Sequence, residues 1–295
     1  MDSSLRRQYA RLYDESRHRF NLGDLDAACE LLEQAVGVGR RLGDDELFYR
    51  AKINLFSIGL EVSRPSSPAV AREVLLQSRD PLSRYLASSA LARVYQGTHQ
   101  HAKALFYARA ATAIAPEDRR ATAAHTLGVS LLSAGDYGGA IDHILGSLDD
   151  WPHELAPVTL PLSVLSYASA LLGRTADSIR YGHETEGLLP AAASPVYDGS
   201  VNLNLGYAAL EREEADRAYL HGAEALLSVS HLGQTPSHEH KSALYLLGQS
   251  ALGLDRLSEA ESSFQALSRT YYPKDVDVSD LLMILRTSSC VNWLA

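Results

Sequence analysis

Residues 120 to 152 read RATAAHTLGVSLLSAGDYGGAIDHILGSLDDWP, and this stretch decides the fold. Leu127 precedes Gly128, and Ala140 follows twelve positions after the glycine, with Gly135-Asp136-Tyr137 between them and Pro152 closing the segment. A large apolar residue, a small one, and a second small one beyond a Gly-Asp turn describe two helices packed back to back. The small residues mark where the two axes approach, and the large ones fill the space beside them. Gly135-Asp136, like Gly173-Arg174 further on, fits a short helix–helix turn.

The pattern recurs along the chain. Small residues of a first helix fall at Gly59, Ala92, Gly128, Ser166, Gly206 and Gly248. Those of the second helix fall twelve later, at Ala71, Ala104, Ala140, Ser178, Ala218 and Ala260. A closing proline appears as Pro116, Pro152 and Pro190. Ahead of these lies a degenerate copy, in which Leu5, Tyr9, Leu12, Ser16 and Phe20 stand at helical spacing. Its second helix begins at Gly23-Asp24-Leu25-Asp26 and packs through Ala28, Leu32 and Ala35. Ser67-Pro68 reads as a capping residue before a helix-starting proline. Pro190 to Gly199 and His231 to His238 read as two longer connections.

These residues resemble the tetratricopeptide repeat family over nearly the whole chain, most of all the longer-repeat regulatory domains of bacteria. The resemblance implies an all-α fold, a right-handed superhelical solenoid of about seven helix pairs plus a C-terminal capping helix. On that reading 1-295 is a single domain. It has a degenerate first repeat over 4-42, repeats from about 45, 84, 120, 158, 198 and 240, and a capping helix over 278-295. Successive small positions from Gly59 lie 33, 36, 38, 40 and 42 residues apart, so the repeats lengthen beyond the family's usual length of about 34. The repeats leave no segment for a DNA-binding or nucleotide-binding module, and no G-x-x-x-x-G-K-[ST] loop occurs.

Composition agrees and excludes alternatives. Leu (47) and Ala (40) dominate, and both favour helix. The chain is too apolar for disorder. With 27 basic and 36 acidic residues, a net charge of -9, it is not built to coat nucleic acid. No run of 18 apolar residues exists to span a membrane. No apolar segment follows Arg6-Arg7, so no secretory signal is expected and the protein reads as cytoplasmic. Arginine outnumbers lysine 23 to 4, a bias of GC-rich bacterial genomes. Cys29 and Cys290 sit among apolar helical residues and read as buried reduced thiols.

Residues that carry chemistry elsewhere fall into structural slots here. His99/His101 and His238/His240 are spaced like ligands, but a metal needs three or four convergent donors. Gly248-Gln249-Ser250 suggests a nucleophile elbow, but position 252 is Leu and no strand context exists. Glu213-Glu214 and Asp149-Asp150 are expected in turns, as solvated acids. No catalytic, cofactor or metal constellation rises above background. The protein reads as no enzyme; a helical-scaffold enzyme or metal-binding protein is the minor alternative.

Binding is the expected activity. The family resemblance implies that the first helix of each repeat lines a concave groove, one face spaced by three or four residues. Carried onto this sequence, the implied contacts include Tyr167, Leu203, Tyr207, Leu210, Tyr245, Gln249 and Arg93, with Asn202 and Asn204 beside them to hydrogen-bond a peptide backbone. The three tyrosines either anchor a partner or pack within the solenoid. Arg93 is the sole base among these inner positions, which disfavours a clamp for acidic tails. The expected function is a scaffold or adaptor that holds a peptide or helix of a partner; the alternative is a peptide-responsive regulator that switches superhelix conformation. Residues 181 to 240 hold nine acids against two bases, either a solvated face or a surface that steers a basic partner. The apolar C-terminal helix, Leu281 to Leu294, is expected to cap the last repeat, to self-associate, or to lead into a longer chain.

Overall fold

The computed structural model describes residues 2–62, 67–153, 156–190, 195–232 and 237–271. The expected capping helix at 278-295 and Cys290 lie outside the described residues. Among those described, every regular element is helical. Helices α1 (Asp2–Asn21) and α2 (Leu25–Leu42) pair, as do α3 (Asp45–Glu61) and α4 (Ala69–Gln77). Then come α5 (Pro81–Gly97) with α6 (His101–Ile114) and α7 (Arg120–Ser133) with α8 (Tyr137–Leu145). The last three pairs are α9 (Thr159–Leu171) with α10 (Thr175–Leu188), α11 (Pro195–Glu211) with α12 (Ala215–His231), and α13 (His238–Gly253) with α14 (Leu257–Tyr271). Helices α1 to α8 form one compact unit; α9, α10, the body of α11 and α12 to α14 form a second.

One turn is used repeatedly. Gly23, Gly135 and Gly173 take left-handed backbone between the two helices of a pair, with φ of 79°, 85° and 70°. His99, Glu213 and Asp255 occupy the same place with φ of 54°, 62° and 56°. In each case the next amide reaches back five residues, as Asp136 N to Leu131 O and Glu214 N to Ala209 O, both 2.9 Å. That bond satisfies carbonyls that a helix end leaves without partners. The first turn of the second helix is capped by a side chain after two of these turns, where Asp24 accepts from Ala27 N and Asp136 from Gly139 N; Ser237 caps α13, a first helix, in the same way by accepting from His240 N. Ser67 Oγ accepts from Ala69 N at 3.2 Å, but α4 begins at Ala69, so Pro68 stands at the cap position and is not its first residue. One expected loop is shorter than read: α11 begins at Pro195, so 195–199 is helical. Proline fits a first helical position, where its missing N–H has no intrahelical acceptor to lose.

Packing follows the small residues. Ala71, Ala104, Ala140, Ser178, Ala218 and Ala260 are all 0 % exposed. A Cβ on Gly128 would stand 2.6 Å from Ile144 Cγ1 and 3.2 Å from the carbonyl of Ala140. One on Gly248 would meet the ring of the fully buried Phe264 at 2.5 to 2.8 Å. In the fifth pair both small residues are serines, and Ser166 Oγ donates to the carbonyl of Ser178 at 2.9 Å. The hydroxyl therefore enters the crossing already satisfied. Trp151, after α8, closes the first unit: its indole meets His125 of α7 edge-on, with centroids 5.5 Å apart. His125 Nε2 is shut off from solvent without a hydrogen-bond partner among the described residues. Burial pushes the His125 imidazole down to about 4.

Two outcomes follow from this packing. Gly248→Ala should lower unfolding stability by about 1–3 kcal/mol through overpacking against Phe264. Gly37→Ala, in α2 with nothing within 4 Å of its added methyl, should instead raise it by about 1 kcal/mol. Urea unfolding of both variants checks the pair, and equal shifts would refute the close-approach account. For His125, the folded value lies below the unfolded 6.5, so the unfolded chain binds the proton first as pH falls. Its contribution to stability is intact at neutral pH and is lost as pH drops from about 6.5 toward about 4. Urea unfolding in that range should show a shallower loss in His125→Phe than in the parent.

Candidate functional site

The face expected to bind is built by first helices lying side by side within each unit. In the first unit, Asn54 of α3 donates to the Tyr13 hydroxyl of α1 at 2.9 Å. Tyr85 of α5 shares a 2.9 Å hydrogen bond with Thr122 of α7, and Gln96 donates to Ser130 Oγ at 2.6 Å. Arg93, on α5 and exposed, pairs with Glu61 at the end of α3. At the base of α5, burial pushes the Asp80 carboxyl up, but bonds from Ser83 and Arg50 outweigh it and hold it below the usual carboxylate range. Apart from the local Ser83–Asp80 bonds, each of these links side chains about one repeat apart, so the rows are tied across helices as well as along them.

In the second unit the expected binding residues are brought together, but inside the protein. Tyr167 of α9 and Tyr207 of α11 lie with ring centroids 5.8 Å apart. The Tyr207 hydroxyl donates to the carbonyl of Ser242 on α13 at 3.0 Å, a buried bond. Tyr245, on α13, accepts from Gln249 Nε2 at 3.0 Å and meets Phe264 of α14 edge-on at 6.2 Å. These tyrosines are 9 %, 8 % and 3 % exposed, and Leu203, Asn202 and Gln249 are buried with them. Asn204 is half-buried and donates to Ser163 Oγ of α9 at 3.1 Å. Leu210 is half-buried too, so Leu210, Asn204 and Arg93 are the members of the expected set with substantial exposure. A tyrosine gives rigid contact area with a polar tip. Here Tyr207 spends both area and tip on the seams between first helices, while Tyr245 packs against Phe264 of α14.

A polar network that the sequence did not reveal ties α10, α11 and α12. Arg212, with a side chain only 6 % exposed, grips Glu214 through Nε (3.0 Å) and a terminal nitrogen (2.8 Å), and donates to Ser178 Oγ at 2.5 Å. Glu214 is therefore not the solvated turn acid expected; bonds from Arg212, and then Arg217, hold its carboxyl below the usual range. Arg217 also pairs with Glu186 of α10. His221 lies between Asn202 Oδ1 (2.9 Å to Nδ1) and Glu186 Oε1 (3.1 Å to Nε2). Burial lowers the His221 pKa, against the opposite pull of Glu186. Glu186 and Arg217 are 31 residues apart, and no local pattern pairs them.

The remaining chemical candidates disperse. His99 forms the turn and His101 opens α6, their rings 6.1 Å apart. His240 bonds the Tyr271 hydroxyl at 2.7 Å and so fastens α13 to the end of α14. Among the described residues no group of three or more His, Cys, Asp or Glu converges as a metal would require. Gly248 and Ser250 are helical packing residues, with Ser250 Oγ donating to the Leu246 carbonyl at 2.7 Å. Among the described residues no helix is long and apolar enough to cross a membrane.

No protein-family model matches the sequence, and no curated protein matches it. Solved structures do. A Rap protein complexed with Competence and Sporulation Factor matches with a TM-score of 0.68 at 14% identity, over 95% of this chain and 77% of that one. The apo form of the quorum sensor NprR from B. thuringiensis matches at 0.57 and 13% identity, over 94% of this chain and 79% of that one. A tetratricopeptide repeat protein from Parabacteroides merdae ATCC 43184 matches at 0.52 and 17% identity, over 95% and 99%. At such identities the likeness is one of fold, and it agrees with the helix pairs, turns and small-residue crossings: this chain has the helical fold of tetratricopeptide repeat proteins, of the kind found in Rap and NprR.

Proposed function

We propose that this protein is a cytoplasmic binding module of a bacterium that holds a peptide or helix of a partner along its first helices. The observation that carries this reading is the bracing of those helices, with side chains one repeat apart hydrogen-bonded in both units. A row ordered before the partner arrives loses little conformational freedom on binding, so contact energy is not consumed in ordering the receptor. In this reading each unit is taken by itself: Arg93 is the contact offered by the first, and in the second Asn204 and Leu210 touch the partner, with Tyr167, Tyr207, Tyr245, Leu203, Asn202 and Gln249 forming the rigid layer behind them. No catalytic group and no cofactor enters it.

A second reading, a regulator whose conformation responds to the bound peptide, gains support from two fold relatives. One of them, Rap, is complexed with Competence and Sporulation Factor, and the other, NprR, is a quorum sensor. A ligand shifts a conformation only by as much as it prefers one state. Small-angle scattering separates the two readings: an adaptor keeps its radius of gyration when saturated with partner, and a regulator changes it.

The direct test is retention of partners from native extract, compared between the parent, Arg93→Ser, Leu210→Asp and Tyr207→Phe. The surface variants are expected to lose a partner that Tyr207→Phe retains. Retention by all four would remove the first-helix site. Tyr207 itself should behave as a core aromatic: Tyr207→Ala is expected to cost about 3–5 kcal/mol in urea unfolding, and Tyr207→Phe about 1 kcal/mol for the lost bond to Ser242. A Tyr207→Ala variant of unchanged stability would return this residue to the contact surface.

A further inference from the structure

Helix α12 carries a second apolar stripe that its fold does not use. Its core stripe is Ala218, Gly222, Ala225 and Val229. On the opposite side of the helix, Leu220 and Leu227 are 64 % and 65 % exposed, with exposed Ala223 between them. Two leucines seven residues apart stand on one line, about 10 Å along the axis. Beside them Tyr219, Ala223, Leu226, Leu227 and Ser230 of α12, with Leu247 of α13, line an open cleft of about 340 Å³. The equivalent places on the neighbouring second helices carry no large apolar residue: they are Arg180 and Gly187 on α10, and Ser262 and Arg269 on α14. In the first unit Phe106 of α6 is exposed at the first of these places, but only the single methyl of Ala113 stands at the second.

The rim is acidic. Asp216 and Glu224 flank the leucines on α12, and exposed Glu184 lies on α10 and Glu261 on α14. The two bases of the stretch 181–240 are turned inward, Arg212 to Glu214 and Arg217 to Glu214 and Glu186. Arg256 of α14 lies over the Tyr219 ring at 5.0 Å and pairs with Glu259 at 3.7 Å, while Tyr219 donates to Glu259 at 2.6 Å. On the neighbouring helices exposed Arg180 pairs with Asp177 at 3.1 Å and Arg269 is exposed, so the acidic excess beside the leucines is carried by Asp216 and Glu224 of α12. Leucines this exposed bury little apolar area on folding, and an apolar patch rimmed by charge is the kind of surface that partners use.

We propose that the outward face of α12 is a docking surface for a basic amphipathic helix of a partner protein. The partner's apolar residues at i, i+3 or i+4, and i+7 sit on Leu220, Ala223, Leu227 and the cleft, and its Lys or Arg residues face Asp216, Glu224 and the acids of the adjacent helices. Apart from Leu247 of α13 the site lies on second helices, and it shares no residue with the proposed first-helix site, so either can fail without the other.

The test is fluorescence anisotropy of three labelled peptides of about 18 residues: a Leu/Lys amphipathic helix, its Leu/Glu counterpart, and a Leu/Lys sequence of equal composition with the helical period scrambled. The Leu/Lys helix should bind the parent at least about tenfold more tightly than either control, and less tightly in about 0.5 M salt. Leu220→Asp/Leu227→Asp should weaken it at least about tenfold with an unchanged melting temperature, as should Asp216→Lys/Glu224→Lys. Binding held by charge alone would instead tighten in the Leu220→Asp/Leu227→Asp variant, and that result overturns the proposal. Equal binding of the Leu/Glu peptide overturns it as well. A dimer of the parent in light scattering, abolished by Leu220→Asp/Leu227→Asp, would assign the face to a second copy of this chain and likewise remove the partner helix.

Discussion

The structure depends on how closely two antiparallel helices can approach. At Gly128 and Gly248 there is no room for a methyl group, because Ile144 and Phe264 of the partner helix already occupy it; at Gly206 the space is taken by Leu246 of α13, with His221 and Ala218 of the partner helix close by. At the partner positions only alanine or serine stands, fully buried. Dispersion contacts fall away within a fraction of an ångström, so a larger residue at either position would open the crossing along its length. The twelve-residue interval follows from the same constraint. The first helix must end, turn through one left-handed residue and restart so that the second small residue faces the first. A fixed turn gives a fixed interval.

That turn is constant in shape more than in residue. Glycine supplies the left-handed backbone after α1, α7 and α9, but His99, Glu213 and Asp255 supply it after α5, α11 and α13. A non-glycine residue in that region is strained. The hydrogen-bonded loop and the packing of the two helices hold it there. Tertiary structure therefore imposes on three side chains a conformation that their local sequence would not choose.

The first helices show what polar side chains do between repeats. Tyr85, Gln96, Asn204 and Tyr207 each reach a neighbouring first helix, and each satisfies a polar atom that burial would otherwise penalise. The Arg212–Glu214–Arg217–Glu186–His221 network does the same for the second helices at higher stakes, since Arg212 is nearly enclosed and removing its partner would leave a buried charge. Satisfied networks of this kind set the register between repeats more sharply than apolar contact does.

The sequence alone determined the helix pairs, the turns between them and the small residues at every crossing, because these are local: a period of 3.6, a breaker, and a fixed interval are written within some 35 residues. It also singled out Tyr167, Tyr207 and Asn204, which reach neighbouring first helices, together with Asn202, which turns to His221 of α12, and Tyr245, which meets Phe264 of α14. Only the tertiary structure decided which way those side chains work, since burial depends on neighbours about one repeat away in sequence, such as Ser242 for Tyr207 and Ser163 for Asn204. The Glu186–Arg217 pair and the idle stripe of Leu220 and Leu227 became visible for the same reason. A leucine in a helix looks alike in sequence whether it faces the core or water. Its environment is a property of the helices that pack around it.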